Sequence, residues 1–270
     1  MRRYLYTLKG FIADGAFHTS IFFIQGVYNG GTAILMTAVL FGLEPTSARR
    51  SYLADIFQGL PKDIDAFKWK STVVESGVLA GKLKASLHGK EGEFKSSRKT
   101  FENNMNLNSF NVSAHPSRIR VLEGLYSETL PPMKGMDIKL SFLRLDGEIY
   151  ISTIQAVENA YRLVQTEVYI YVDDYGSFEG CRKAVAFFKQ SVDDNSPLIP
   201  IYEDDSITFE AVWWWKPIML NEYQTEFLPQ ADFHNLREGT VDYINILLIF
   251  TTINTTLSWV FLCRRRNLRN

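Results

Sequence analysis

Short runs of β-branched and aromatic residues recur along this chain with helical stretches between them, and no other feature narrows the fold as far. The strand-like runs are Ser20–Gln25, Ser51–Ala54, Arg118–Leu122, Lys139–Leu145, Glu167–Val172, Leu198–Tyr202 and Ala211–Trp215. Thr32–Leu43, Gly92–Met105, Thr153–Val164 and Phe178–Gln190 carry apolar residues at helical spacing. Strands alternating with helices predict an α/β domain, a mostly parallel sheet covered by helices on both faces. In such sheets ligands bind beyond the carboxyl ends of the strands, near the point where strand order reverses. Hydrophobic residues make up 46% of the 270 residues, enough for one large core and too many for a disordered tail protein.

Charge is distributed less evenly than its total. The chain has 29 Lys+Arg against 30 Asp+Glu, a balance that argues against a nucleic-acid partner. Six arginines lie at the termini: Arg2, Arg3, Arg264, Arg265, Arg266 and Arg269. Without them 23 basic residues face 30 acidic ones, so the body is acidic and the placement of its acids matters. Cys181 and Cys263 are too few for a disulfide framework, and Cys181 reads as a small buried residue.

The alternation stops after Lys216, which divides the chain into a domain over 1–220 and an extension over 221–270. Within the extension, Tyr243–Cys263 is a stretch of 21 uncharged residues followed at once by Arg264. Length and flank fit a membrane span, while its Asn and Thr residues fit a buried or interfacial helix. No apolar run before Gly10 resembles a signal peptide, so the body is expected in the cytoplasm, free or tethered through its carboxyl end.

Several residue groups carry chemistry. Gly26-Val27-Tyr28-Asn29-Gly30-Gly31 joins the first strand to the first helix, where glycines permit a tight turn and close ligand approach. Asp55 ends the next strand, a place where a carboxylate accepts hydrogen bonds from a ribose or simply closes a turn. Asp146 and Glu148 follow one later strand, and Asp173 and Asp174 follow the next. Carboxylates gathered in this way repel one another unless a cation neutralises them or some hold protons. Hard oxygen donors favour Mg²⁺ over zinc, although Asp-Gly and Asp-Asp-Tyr also suit ordinary turns and caps. His18, His88, His115 and His234 show no metal-ligand spacing, and the Trp213-Trp214-Trp215 run suits a strand buried on both faces.

These segments together resemble the macrocin O-methyltransferase family of sugar O-methyltransferases. The turn Gly-Val-Tyr-Asn-Gly-Gly at Gly26–Gly31 is similar to the family's Gly-Val-Trp-Arg-Gly-Gly. Asp55-Ile56-Phe57-Gln58-Gly59-Leu60-Pro61 is similar to Asp-Ser-Phe-Glu-Gly-Leu-Pro. Leu143–Thr153 matches Leu-Arg-Leu-Asp-Gly-Asp-Xaa-Tyr-Xaa-Ser-Thr with Glu148 for the second aspartate, and Asp173–Tyr175 with Cys181–Val185 matches Asp-Asp-Tyr and Cys-Arg-Xaa-Ala-Val. The similarity runs in the family's order from Gly10 to Lys216.

The resemblance implies a Rossmann-like class I methyltransferase fold with a mostly parallel seven-stranded sheet, using S-adenosylmethionine and Mg²⁺. It implies that Gly26, Tyr28, Gly30, Gly31, Thr32, Asp55 and Phe57 border the cofactor, with Asp55 on its ribose. Asp146, Asp173 and Asp174 would hold Mg²⁺, and Glu148 would stand in the place of the base. The acceptor would be a sugar-type small molecule, and homo-oligomerisation is compatible with the sequence without being specified by it. The chain departs from the family at Ile24-Gln25, where Glu-Thr is usual, at Asn29 for arginine, at Ile56 for serine and at Gln58 for glutamate. Glu148 adds a methylene to the family's aspartate and moves its oxygens by roughly 1 Å, which positioned catalysis feels. Two other readings stay open: a nucleotide-sugar glycosyltransferase, and a non-catalytic methyltransferase-fold protein with weakened cofactor binding.

Overall fold

Ile21–Gln25 (β1) is buried at every position, as a strand covered on both faces requires. A computed structural model places it at the centre of the sheet and describes residues 21–43, 49–62, 82–83, 89–203 and 207–218, all in the unit Met1–Leu220. The 221–270 extension and its 243–263 stretch lie outside the described residues. No described helix is long and apolar enough to cross a membrane.

After β1 come Gly31–Leu43 (α1), Arg50–Asp55 (β2), the short Lys82–Leu83 (β3), Arg98–Leu107 (α2), Ile119–Glu123 (β4) and Tyr126–Thr129 (α3). A 3₁₀ turn over Pro131–Gly135 leads into Leu140–Leu145 (β5), Tyr150–Ala160 (α4), Tyr169–Val172 (β6), Glu179–Ser191 (α5), Ile199–Tyr202 (β7) and Thr208–Trp215 (β8). Among the described residues the sheet has eight strands in the order β3-β8-β6-β5-β1-β2-β4, with β7 on β8. β1, β2, β4, β5 and β6 pair in parallel, and β8 runs antiparallel to β6 and β7. This is the Rossmann-like class I methyltransferase sheet the resemblance implied, with the two-residue β3 added to the seven expected strands. Strand order reverses between β1 and β5, so the crevice of interest opens beyond Gln25 and Leu145.

Side chains alternate across the strands. Ile21 and Phe23 of β1, with Tyr52 and Ala54 of β2, join a core cluster that includes Leu143, Leu145, Ile154, Val157, Val185 and Phe188. Phe22, Ile24 and Leu53 are buried outside that cluster, as are Ala33, Met36 and Leu40 of α1. Burying each such Phe, Leu or Ile is worth about 1.5–3 kcal/mol. Helices α4 and α5 pack on one another through their apolar faces.

The helix expected over Gly92–Met105 starts later, at Arg98. Ser97 takes extended backbone and its Oγ accepts from the Thr100 N–H at 3.0 Å, capping α2. The residues ahead form a turn with Gly92 at φ 82°, pinned to the segment after β2 by Leu60 N to Glu93 O at 2.8 Å and Gly92 N to Leu60 O at 2.9 Å. The expected Thr153–Val164 helix begins earlier, at Tyr150, and closes as 3₁₀ over Tyr161–Leu163. Trp214 is fully buried, but Trp215 is 39% exposed at the strand end, its ring centroid 3.7 Å from that of Tyr169. The strand expected to be buried on both faces therefore surfaces at its last residue.

Candidate active site

The chain leaves β1, β2, β5 and β6 through the same kind of turn. Tyr28 (φ 45°), Phe57 (φ 55°), Glu148 (φ 50°) and Asp174 (φ 58°) all take left-handed backbone just beyond these strands. Such non-glycine conformations cost on the order of 1 kcal/mol each and concentrate where geometry serves a ligand. Gly26, at φ 71°, is fixed more tightly still, because an added Cβ would collide with the Asp146 carbonyl oxygen. The two central strands thus meet backbone to backbone at the switch point. Gln25 closes the same gap from below: its Nε2 donates to Ser152 O at 3.1 Å and its Oε1 accepts from the Asp146 N–H at 3.3 Å.

Above this floor lies a cleft of about 260 Å³ lined on one side by Gly26, Tyr28 and Asp55 and on the other by Asp146, Glu148, Asp173 and Asp174. Asp55 accepts the Tyr28 N–H on Oδ2 at 2.8 Å and the Phe57 N–H on Oδ1 at 2.7 Å, fixing the turns after β1 and β2 together. Tyr28 and Phe94 stand exposed at the rim, edge to face with centroids 6.4 Å apart.

Not every expected cofactor residue reaches the cleft. Phe57 turns its ring into the core, 5.5 Å from the Phe101 ring, and Gly30 abuts that same ring. Gly31 and Thr32 form the first turn of α1 and, like Gly30 and Phe57, are absent from the lining. Asn29, in the place of the family's arginine, binds α2 and its approach instead: Ser96 Oγ donates to its Oδ1 at 2.7 Å and Asn104 Nδ2 to its carbonyl at 2.8 Å.

On the acidic side Asp146, Glu148 and Asp174 converge, each with a carboxylate oxygen within 4.8 Å of the others. Asp173, the remaining expected ligand, has its Oδ2 bonded to Arg144 Nη2 at 2.6 Å, and Arg144 Nη1 lies 2.7 Å from Asp146 Oδ2. Burial and the neighbouring carboxylates Asp146 and Asp173 push the Asp174 carboxyl up to about 9. Burial, with Asp146 and Asp174, raises Glu148 well above the usual carboxylate range. Asp146 is also raised by burial, against the pull of Arg144. Burial opposes the Arg144 charge, but Asp146 and Asp173 outweigh it and hold the guanidinium more firmly protonated than usual. A half-buried set of hard oxygen donors at this spacing suits a divalent cation of the Mg²⁺ type.

Sequence reasoning missed Arg144, Phe94 and Tyr126. Arg144 had a signal: an arginine inside the apolar strand β5 must find counter-charge. Phe94 and Tyr126 come from a loop and a four-residue helix with no readable periodicity. Cys181 is buried and free as expected, and its thiol is raised by burial. His115 packs edge-on against Phe41 at 5.4 Å and is not part of the carboxylate cluster, while the other histidines lie outside the described residues.

Known proteins resemble this chain in sequence and fold. Demethyldecarbamoylnovobiocin O-methyltransferase of Streptomyces niveus is 32% identical over 189 residues, covering 70% of this chain and 63% of that protein. A Streptomyces olivaceus enzyme, 8-demethyl-8-(2,3-dimethoxy-alpha-L-rhamnosyl)-tetracenomycin-C 4'-O-methyltransferase, is 31% identical over 180 residues, 65% of this chain and 60% of its own. The chain therefore spans less than two thirds of the length of these relatives. The solved structure of the O-methyltransferase NovP superposes with a TM-score of 0.55 at 29% identity, covering 74% of this chain and 72% of that one. Residues 20–216 match the family described as Macrocin-O-methyltransferase (TylF), and the chain belongs to that family.

Proposed function

We propose that this protein is an S-adenosylmethionine-dependent O-methyltransferase acting, with Mg²⁺, on a hydroxyl of a sugar or sugar-containing small molecule. The observation that carries the reading is one cleft with two chemically distinct walls. Asp55 and the Gly26 turn form the wall suited to a nucleoside, and Asp146, Glu148 and Asp174 form the wall suited to a cation and a hydroxyl. Family membership supplies the reaction class, and a relative named for a rhamnosyl-bearing acceptor supports the sugar.

S-adenosylmethionine would supply a sulfonium methyl group, and Mg²⁺ would supply Lewis-acid polarisation of the acceptor hydroxyl. Asp146 and Asp174 would hold the cation, with Asp173 beside them on the Arg144 side. Glu148 takes the proton from the hydroxyl as general base, and the burial that raises its pKa also makes its carboxylate a stronger base than one in water. Asp55 fixes the ribose while its backbone bonds hold the two turns in place. The positive-φ turns aim these carboxylates without further rearrangement, and such positioning supplies much of a methyl transfer's acceleration.

Calorimetry with S-adenosylmethionine, S-adenosylhomocysteine and a nucleotide sugar, each with and without Mg²⁺, tests the reading. Binding of the first two is expected. Binding of the nucleotide sugar alone would replace the reading with glycosyl transfer, and binding of none would leave a methyltransferase fold without its cofactor.

A further inference from the structure

Arg144 sits inside the acid cluster rather than at its edge. Its side chain is 5% exposed, and its guanidinium meets Asp146 Oδ2 at 2.7 Å and Asp173 Oδ2 at 2.6 Å. The register explains the geometry. Arg144 pairs with Tyr171 across β5 and β6, so Asp146 and Asp173, each two residues further along, point to the same face. The guanidinium also lies 5.9 Å from the Tyr171 ring centroid. An arginine cannot shed its proton to escape burial, so these carboxylates are what make its position tenable, and the dependence is mutual.

We propose that Arg144 is a fixed counter-ion, neutralising the Asp146/Asp173 side of the cluster so that a single divalent cation brings it close to charge balance. Asp146, Glu148, Asp173 and Asp174 carry a formal charge that one divalent ion alone leaves half compensated. With Arg144 in place, a single negative charge remains, so less negative charge opposes the hydroxyl's deprotonation than without it. The planar fork matters as well as the charge, because it reaches two carboxylates from neighbouring strands at once. The inference rests on the cation-binding part of the proposed function, and not on the identity of the acceptor.

Thermal melting of wild type, Arg144→Met and Arg144→Lys in EDTA and in Mn²⁺, with neither cofactor nor acceptor present, tests it. In EDTA the Met variant is expected to melt lower by on the order of 10 °C, as removal of one partner of a buried pair does in a domain of this size. Mn²⁺ is then expected to raise its Tm by about twice the rise seen in wild type, because the ion takes over compensation that Arg144 gave. The Lys variant, with the charge but not the fork, is expected in between. A Mn²⁺ response in the Met variant equal to or smaller than that of wild type overturns the proposal and leaves Arg144 a packing residue. If the Met variant does not fold, the Lys variant decides by the same comparison. A wild type indifferent to Mn²⁺ also overturns it, and S-adenosylmethionine binding in the same preparation shows separately whether the methyltransferase reading stands.

Discussion

The Tyr28 backbone N–H donates to Asp55 Oδ2 at 2.8 Å, so the carboxylate proposed to hold the ribose also fastens the turn after β1 to the end of β2. Its other oxygen accepts from the Phe57 N–H at 2.7 Å. Asp55→Ala leaves both donors, each on a residue with positive φ, without their partner. The expected result is a loss of about 2 kcal/mol in urea melts together with at least tenfold weaker S-adenosylmethionine binding. Unchanged cofactor affinity in a folded Ala variant would remove the ribose assignment.

Gly26 and Gly31 look alike in the motif and should behave differently. Gly26 has φ 71° and its Cβ would strike the Asp146 carbonyl, whereas nothing lies within 4 Å of a Cβ at Gly31. Gly26→Ala is expected to destabilise by about 2 kcal/mol or more and to displace Asp146, visible as weaker cation binding. Gly31→Ala is expected to melt within about 1 kcal/mol of wild type. Equal melting of the two variants would contradict the close approach of β1 and β5.

Asp174 is where stability and function pull apart. Burial and its neighbours Asp146 and Asp173 push its carboxyl up to about 9, the mark of a group whose charge is resisted without a cation. Asp174→Asn keeps a side chain that tolerates left-handed backbone and removes the repulsion. In EDTA the variant should melt at or above the wild-type temperature, while cation-dependent turnover falls at least a hundredfold. Retained turnover would take Asp174 out of the cation site.

For Glu148 the discriminating pair is Gln and Asp. Glu148→Gln removes the base without changing shape, and kcat should fall by about 10²–10⁴ with cofactor affinity unchanged. Glu148→Asp keeps the base and withdraws it by roughly 1 Å, so an intermediate loss is expected. A Gln variant as fast as wild type would assign the proton to another group.

Away from the cleft, Asp194 is a buried carboxylate that gathers donors from several elements. It accepts from Tyr161 Oη at 2.8 Å, Lys189 Nζ at 2.9 Å, Trp214 Nε1 at 2.9 Å and the Ser196 N–H at 3.0 Å, with Ser196 Oγ also donating. Burial alone would raise its pKa, but hydrogen bonds from Ser196, Lys189 and Tyr161 hold it below the ordinary aspartate value. A carboxyl with a depressed folded pKa stabilises the fold above its unfolded pKa of about 3.9, and that contribution disappears as pH falls through the folded value. Asp194→Asn should therefore cost about 3 kcal/mol at pH 7 and less as the pH drops below about 4. Urea melts across pH 3 to 7 check it, and a pH-independent cost would show that the ionised form is not what matters.

How far the sequence discloses all this depends on the physics at each position. β1 and β5 were legible because a strand buried on both faces reads as a near-continuous apolar run, interrupted here only at Gln25, Ser141 and Arg144. The carboxylates Asp146, Glu148 and Asp174 were legible for a related reason: parallel strands deliver their carboxyl ends to one edge, and consecutive strands are usually neighbours. β8 was read only from Ala211 because Glu210 interrupts its apolar pattern, yet Glu210 is 7% exposed and the strand starts at Thr208. Arg144's partners were hidden, since a chain does not state which of several nearby acids an arginine will meet. The departures at Gln25 and Asn29 took their meaning from the structure, where each makes packing bonds between elements.

The place of β8 in the sheet governs timing. It is the last described strand in the chain and yet lies between β6 and β7, pairing Val212–Trp215 with Val172–Tyr169. As the chain emerges from synthesis, β1, β2, β4, β5 and β6 can associate first, leaving the outer edge of β6 open until Thr208–Trp215 arrives. During that interval Tyr169–Val172 is an unpaired apolar edge, the kind of surface on which nascent chains find one another. This last described strand is thus the closing event of the described sheet, and a chain cut before residue 208 would present the whole acidic wall on a scaffold still open along one side.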